Sequence, residues 1–155
     1  MKQRILFLCT GNSARSQMAE ALLRLIAGDH FDAESAGTYP AGLHPMTVEV
    51  MQEIGVDIRH HRSKHVEEFV GQYFSYVITV CDQARESCPV LPAIHILHWA
   101  FDDPAAVPIV TRIEAFRRVR DEITDRLCQF LIEEVRLTPA ALSCFRCGNV
   151  PSGRP

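Results

Sequence analysis

Residues 4–26, "RILFLCTGNSARSQMAEALLRLI", decide the fold. Arg4 to Leu8 is a short apolar run closed by a loop of small polar residues, as expected of a strand buried on both faces. From Ser16 onward Met18, Leu22 and Leu25/Ile26 recur at helical spacing, and Gly28 is a natural stop. The stretch is therefore a strand, a tight loop and a helix. Cys9 stands where the strand ends and Arg15 where the helix is about to begin.

The same alternation continues along the chain. "FDAESAG" (31–37) reads as a second strand, and "HPMTVEVMQEIG" (44–55) as a helix with Pro45 in its first turn. Val48, Met51 and Ile54 are expected along its inner side, and Gly55 is expected to end it. "SYVITV" (75–80) and "AIHILHW" (93–99) are strands three and four by their β-branched and apolar content. From Thr111, residues Ile113, Phe116, Val119, Ile123, Leu127 and Leu131 step by three and four, which predicts a long amphipathic closing helix.

Strands alternating with helices imply an α/β domain: a doubly wound, four-stranded parallel sheet with helices on both faces and ligand sites beyond the carboxyl ends of the strands. Cys9, Cys81 and the loop after His98 all fall at such ends. The chain divides into one catalytic domain over 1–137 and a C-terminal extension over 138–155, which contains Pro139, Pro151 and Pro155 and is expected to be poorly ordered.

Bulk properties narrow the function classes. With 155 residues and 47% hydrophobic content the chain suits one domain with a real core. Its net charge of -3, with basic residues dispersed among acidic ones, argues against nucleic acid as a partner. The apolar stretch near the N-terminus is too short for a signal peptide, and no segment reaches the length of a membrane span. A cytoplasmic, monomeric protein is expected. In that setting six cysteines, Cys9, Cys81, Cys88, Cys128, Cys144 and Cys147, point to catalytic, redox or metal chemistry rather than to a disulfide framework.

The loop Thr10, Gly11, Asn12, Ser13, Ala14, Arg15 and Ser16 has the composition of an anion-binding nest. Small residues let successive backbone N–H groups converge, and the helix N-terminus adds partial positive charge. Arg15 supplies a planar fork for two oxygens of a tetrahedral oxyanion. The same field is expected to lower the pKa of Cys9 and arm it as a nucleophile. The loop is not a Walker loop, since no Gly-Lys-Ser/Thr follows. In "FDDPA" (101–105), Asp102 and Asp103 stand before Pro104 in the loop after strand four, which on its own reads as a turn pair.

"CTGNSARSQMAEALL" resembles the loop and first helix of the low-molecular-weight protein tyrosine phosphatase superfamily. Within that superfamily, "SAG" (35–37), "VITVCDQARESCP" (77–89) and "HWAFDDPA" (98–105) make the chain similar to the thioredoxin-coupled arsenate reductases. The resemblance spans roughly residues 4 to 135. It implies a relay. Cys9 attacks arsenate, Cys81 attacks the Cys9 sulfur and expels arsenite, and Cys88 then frees Cys9 and leaves a Cys81–Cys88 disulfide. It also implies Asp103 as the acid, thioredoxin as the partner that resets the disulfide with electrons ultimately from NADPH, and no bound cofactor. The intervening "DQARES" is polar apart from Ala84, so a helical turn there can unwind at little cost in burial.

Some reductases of this family bind potassium through residues matching Asn12 and Glu20 and further oxygen ligands in the segment matching "HHRSKH" (60–65). Here that segment holds Arg62 and Lys64, so the Lys64 ammonium is expected in the cation's role and no metal is expected. His60, His61 and His65 are read as solvated residues at a helix start. Cys128 is expected to be a core or boundary thiol. Cys144 and Cys147 form a CxxC outside the family-like region, suited to an auxiliary redox pair, to half a zinc site or to no role at all. Two other readings stay open. One is a tyrosine or small-molecule phosphatase using Cys9, Arg15 and Asp103, with Tyr39 as an aromatic wall. The other is a non-enzymatic oxyanion or redox sensor.

Overall fold

The computed structural model describes residues 2–87, 91–144 and 146–147. Strand β1 (Gln3–Cys9) leads through α1 (Arg15–Ala27) to β2 (Phe31–Gly37), and α2 (Pro45–Glu53) leads on to β3 (Phe74–Thr79). A short helix α3 (Asp82–Ser87) precedes β4 (Ala93–His98), and α4 (Ile109–Glu133) closes the domain. All strand pairs are parallel, in the order β2-β1-β3-β4. Ile5, Leu6, Phe7 and Leu8 have no exposed surface, so the sheet is covered on both faces at its centre.

The order dictates where a ligand can sit. From β1 the chain winds outward to β2, then returns across β1 to β3 and β4. The crevice between the carboxyl ends of β1 and β3 is therefore the topological switch point of the sheet, where open parallel sheets bind their ligands. Cys9 ends β1, and Cys81 follows β3 by two residues.

Packing follows the periodicity read from the sequence. α1 and α4 lie against one another, and α4 meets the sheet through an aromatic group. Phe130, fully buried, stands edge-on to Trp99 at 5.5 Å and to Tyr76 at 5.1 Å, and Trp99 also touches Phe7 at 6.2 Å. In α2 the buried residues are Thr47, Val50 and Met51, while Ile54 is exposed. The inner side is thus rotated from the expected Val48–Met51–Ile54 line. Gly55, at φ 80°, ends that helix as expected. Its N–H bonds to Gln52 O at 2.9 Å and the Val56 N–H to Met51 O at 3.0 Å, the paired bonds of a left-handed glycine cap.

Two elements depart from expectation. β4 is an edge strand whose Ile94 and Ile96 are exposed. The described part of the extension, residues 138–144 and 146–147, is docked rather than loose. Pro139–Ala141 form a helical turn, Leu142 and Cys147 are buried, and Ser143 N–H bonds to Ile26 O at 2.9 Å. Cys147 is joined by a disulfide to Cys128 of α4, whose side chain is fully buried. Cys128 is therefore bonded, not a free core thiol, and the CxxC does not close on itself. A half-turn of chain and a buried leucine anchor a tail that its prolines alone would leave frayed.

Truncating Phe130 to alanine removes the ring that links α4 to the sheet, and a buried Phe→Ala change costs about 3–5 kcal/mol. Urea denaturation followed by circular dichroism should show a loss of that size. A cost below about 1 kcal/mol would mean that Trp99 and Tyr76 close the gap.

Candidate active site

The loop from Cys9 to Ser16 is shaped by what its carbonyls bond. Thr10 O, Gly11 O and Ser13 O accept the N–H groups of Tyr39 at 2.8 Å, Ala41 at 2.9 Å and His44 at 3.0 Å. Ser63 Oγ donates to Gly11 O and Asn12 O, both at 2.9 Å, and Thr47 Oγ1 to Ser13 O at 2.7 Å. Across a trans peptide the C=O and the next N–H point in opposite directions. With these carbonyls turned outward, the N–H groups that follow them, of Gly11, Asn12 and Ala14, point to the inner side of the loop. Asn12 N donates to Cys9 Sγ at 3.2 Å. Residues 38–63 thus build the outer wall of this loop.

Gly37 makes the close approach of β2 to this loop feasible. A Cβ there would lie 2.4 Å from Thr10 O and 2.9 Å from Asn12 N, both backbone atoms that cannot yield.

Asn12 adopts φ 46°, is fully buried and uses its whole amide. Nδ2 donates to Ser16 Oγ at 2.8 Å and Ser35 Oγ at 2.9 Å. Oδ1 accepts Lys64 N at 2.8 Å and Gln17 Nε2 at 3.0 Å. Ser16 Oγ accepts from Asn12 and also lies 2.8 Å from Cys9 Sγ, where its hydroxyl can donate to a thiolate.

The electrostatics of Cys9 differ from expectation. Burial pushes its thiol above the ordinary value, more than the hydrogen bonds from Ser16 and Asn12 and the charge of Arg15 pull it down. Cys9 is only 3% exposed, and desolvation of a thiolate there outweighs these bonds and the guanidinium. Arg15 is partly engaged elsewhere, with Nη1 donating to Phe101 O at 3.1 Å. That bond ties the oxyanion loop to the "FDDPA" segment. Within that segment Asp103 accepts Ala105 N at 3.0 Å as the cap of a helical turn (Pro104–Ala106), and Asp102 pairs with Arg118 at 3.2 Å. Both aspartates are exposed to solvent.

Cys81 lies against the loop. Its Sγ is 3.4 Å from Thr10 Oγ1, the hydroxyl next to Cys9 in sequence, and accepts Ala84 N at 3.4 Å. Cys9 and Cys81 are both free and both buried. α3 follows over Asp82–Ser87, where the turn in "DQARES" is expected, and Ala84 is its fully buried residue. Cys88 lies outside the described residues.

Two histidines take parts that the sequence does not announce. His98 links Thr79 Oγ1 at 2.7 Å to Asp82 Oδ1 at 2.9 Å and so pins the start of α3 to the sheet. His61 is not solvated. Its Nδ1 lies 3.1 Å from both Glu20 Oε2 and Gln17 Oε1, which only accept, so Nδ1 carries the proton. Glu20, 1% exposed, is met also by Lys64 Nζ at 3.3 Å and Arg24 Nη1 at 3.6 Å. Burial opposes its charge, but His61, Lys64 and Arg24 together hold the carboxyl below its ordinary value. Lys64 thus occupies the position where an ammonium was expected, whereas Arg62 turns out to Glu68. A lone buried glutamate pairing with residues forty positions away has no local sequence signature. Tyr39, 79% exposed, forms no wall here.

Residues 4–140 match the family model described as low molecular weight phosphotyrosine protein phosphatase. The chain belongs to this family. Within the low molecular weight phosphatase family it is 41% identical over 130 residues to arsenate reductase 2 of Staphylococcus epidermidis, covering 83% of this chain and 96% of that protein. Its fold superposes on an arsenate reductase in the phosphate-binding state with a TM-score of 0.71 at 28% identity, over 86% of this chain and 98% of that one. A thioredoxin-dependent arsenate reductase of Corynebacterium glutamicum is also similar, with a TM-score of 0.61 and 30% identity over 86% of this chain and 64% of that one.

The raised thiol sets a pH dependence. Cys9 is a thiol at neutral pH, and its thiolate fraction grows as pH rises toward the raised pKa. Alkylation of Cys9 by iodoacetamide, followed by mass spectrometry, should accelerate steadily through and above the ordinary thiol range. Ser16→Ala removes the strongest opposing hydrogen bond and should move the profile further up. A profile saturating near neutral pH would contradict this account.

Glu20 predicts a second dependence. Its carboxyl is held below 4.5, so its stabilisation is present above that value and is lost as pH falls through the lower folded one. Wild-type stability should decline there in acid denaturation. Glu20→Gln should remove that component while lowering stability at pH 7.

Proposed function

We infer that the protein is an arsenate reductase in which Cys9 is the nucleophile and the Cys9, Cys81 and Cys88 thiols pass the oxidation outward. The observation that supports this most directly is the pair of free thiols at the switch point. Cys81 Sγ lies 3.4 Å from the hydroxyl of Thr10, against the very loop that holds Cys9. A phosphatase has no use for a second thiol there, whereas a two-electron reduction requires one.

The chemistry balances with the chain's own residues. The nest N–H groups and the Arg15 fork bind arsenate oxygens and disperse their charge. The Ser16 hydroxyl donates to the developing Cys9 thiolate. Cys9 forms an S–As bond as one arsenate oxygen leaves as water, with Asp103 supplying the proton. General acid assistance of this kind contributes about 10²- to 10⁴-fold. Cys81 then attacks the Cys9 sulfur. The S–As bond breaks with its electron pair passing to arsenic, which leaves as arsenite, and a Cys9–Cys81 disulfide remains. Cys88 attacks Cys81 in turn and releases the Cys9 thiolate. Each step is a thiolate displacement, so thiol pKa and access govern its rate.

For Cys88 to reach Cys81, α3 must open. The segment is six residues long, polar and held by few contacts, so its unwinding forfeits little burial. The resulting Cys81–Cys88 disulfide needs a dithiol protein to reset it, and thioredoxin, with electrons from NADPH, fits that need. No bound cofactor enters the cycle. A monomer working in the reducing cytoplasm suits such chemistry. Among the described residues no helix is long and apolar enough to cross a membrane.

The test is NADPH oxidation on adding arsenate to the protein with thioredoxin and thioredoxin reductase. Turnover should vanish in Cys9→Ser, Cys81→Ser and Cys88→Ser, and fall about 10²- to 10⁴-fold in Asp103→Asn. Hydrolysis of an aryl phosphate that needs Cys9 but neither Cys81 nor Cys88, without arsenate turnover, would replace this reading by the phosphatase one.

A further inference from the structure

A second sulfur cluster lies away from the catalytic loop. The Sγ atoms of Cys128, Cys144 and Cys147 all fall within 4.8 Å of one another. Cys128 and Cys147 are joined by a disulfide and buried, whereas Cys144 is free and half-exposed. The catalytic relay uses none of the three. They sit where the tail docks beside the C-terminal half of α1, with Ser143 N–H bonded to Ile26 O. Ten helical residues separate Ser16 from Ile26, a rise of about 15 Å, so the cluster lies toward the opposite end of α1 from the oxyanion loop.

Three features define what such a site takes when its sulfurs are reduced. A pyramidal centre bonded to three sulfurs at about 2.3 Å, with angles of about 100°, holds them roughly 3.5 Å apart, and the three Sγ atoms already lie within 4.8 Å of one another. The donor set is three sulfurs: among the described residues no fourth Cys, His or carboxylate joins them. Structural zinc takes four ligands, whereas trivalent arsenic, with its lone pair, is complete with three soft ones. A cavity of about 360 Å³ borders Cys144; Leu22, Ile26 and Ile54 give it an apolar floor, and Arg120, Asp121 and Arg146 set both signs of charge around it, so a small solute without net charge can enter.

We propose that Cys128, Cys144 and Cys147, once reduced, form a three-thiolate site for trivalent arsenic, the product of the catalytic centre, entering by way of the cavity at Cys144. The choice of arsenic rests on the reductase reading; the three-sulfur site rests on the cluster alone. The chemistry is a condensation without change of oxidation state. Arsenite, as neutral As(OH)3, exchanges three As–O bonds for three As–S bonds and releases three waters as three thiols give up their protons. The Cys128–Cys147 disulfide must first take two electrons and two protons from a dithiol reductant, which leaves as a disulfide. The oxidised chain is thus closed to arsenic and the reduced chain open to it.

The test uses the full chain bearing Cys9→Ser, Cys81→Ser and Cys88→Ser, reduced with a phosphine so that no competing dithiol is present. Arsenite is titrated in, with sulfur-to-arsenic charge-transfer absorbance, native mass spectrometry and counts of free thiols as readouts. The expected result is one arsenic per chain with three thiols consumed, and loss of that three-thiol species in Cys144→Ser. Because Cys144 is half-exposed, this variant should keep its circular dichroism and its Cys128–Cys147 disulfide on oxidation. Failure of the reduced chain to bind arsenic, equal binding after Cys144→Ser, or uptake of zinc that arsenite does not displace would each overturn the proposal. None of these outcomes bears on arsenate turnover by the wild-type chain, so the two readings fail separately.

Discussion

Asn12 joins the interior of the protein to its nucleophile. From Glu20, buried against Lys64 and His61, hydrogen bonds run through Ser35 Oγ to Asn12 Nδ2, on to Ser16 Oγ, and from there to Cys9 Sγ. The Asn12 amide donates to both hydroxyls: on one side Ser35 passes its own proton on to Glu20, and on the other the Ser16 hydroxyl can give its proton to a Cys9 thiolate, which only accepts. The other end of the Asn12 amide holds the backbone of Lys64 and the side chain of Gln17. One amide, with its backbone at φ 46°, thus sets the loop's conformation, the orientation of the Ser16 donor and the seat of the 61–65 segment. An apolar residue at position 12 would leave the buried Lys64 N–H without its acceptor and take one bond each from Ser16, Ser35 and Gln17, and a buried polar group left unpaired costs about 1–3 kcal/mol.

The same network explains why a nest with a raised thiol can still act as a nucleophile's cradle. Taking the sulfur out of water disfavours its charge, and the bonds from Ser16 and Asn12 return only part of that loss. The loop's N–H groups and the Arg15 side chain, bonded to Phe101 O, lie on the side of the sulfur where, on the reductase reading, arsenate would bring a second anion to share those donors. Burial of Cys9 also limits its exposure to adventitious oxidants, since such chemistry follows thiolate character and access.

Much of this was legible because it is local. The run Ile5–Leu8, the small residues of 10–14 and the helical spacing after Ser16 constrain one another within a short window, and Gly55 announces its cap by itself. The placement of Cys81 beside the loop followed from parallel pairing, since residues at the ends of adjacent strands must meet. What could not be read is long-range. His61 reaches Glu20 only because α1 brings that carboxylate to the 60–65 segment. The inner side of α2 is fixed by α4, which no pattern in residues 45–54 reports. The Cys128–Cys147 bond joins a helix interior to a tail that proline content alone describes as frayed. The pKa of Cys9 was misjudged for a related reason: the dipole and the guanidinium are visible in the sequence, and the depth of burial is not.

The two ends of the reaction centre differ in how firmly they are held, and that difference suits a relay. Cys9 is fixed by a strand with no exposed surface over Ile5–Leu8, by outward carbonyl bonds and by the Asn12 amide, so its sulfur keeps one position against the oxyanion site. Cys81 begins a helix of six residues whose described side chains, Ala84 apart, face solvent. Two side-chain ties hold its first turn, from Asp82 to His98 and from Gln83 to Thr10. Opening that turn exchanges exposed or partly exposed hydrogen bonds for bonds to water, at a net cost of about 0.5–1.5 kcal/mol each. A nucleophile must meet its substrate in a single geometry, whereas a thiol that carries oxidation outward must occupy two. The fold meets both demands by placing one cysteine on a central strand and the other at the head of a short polar helix.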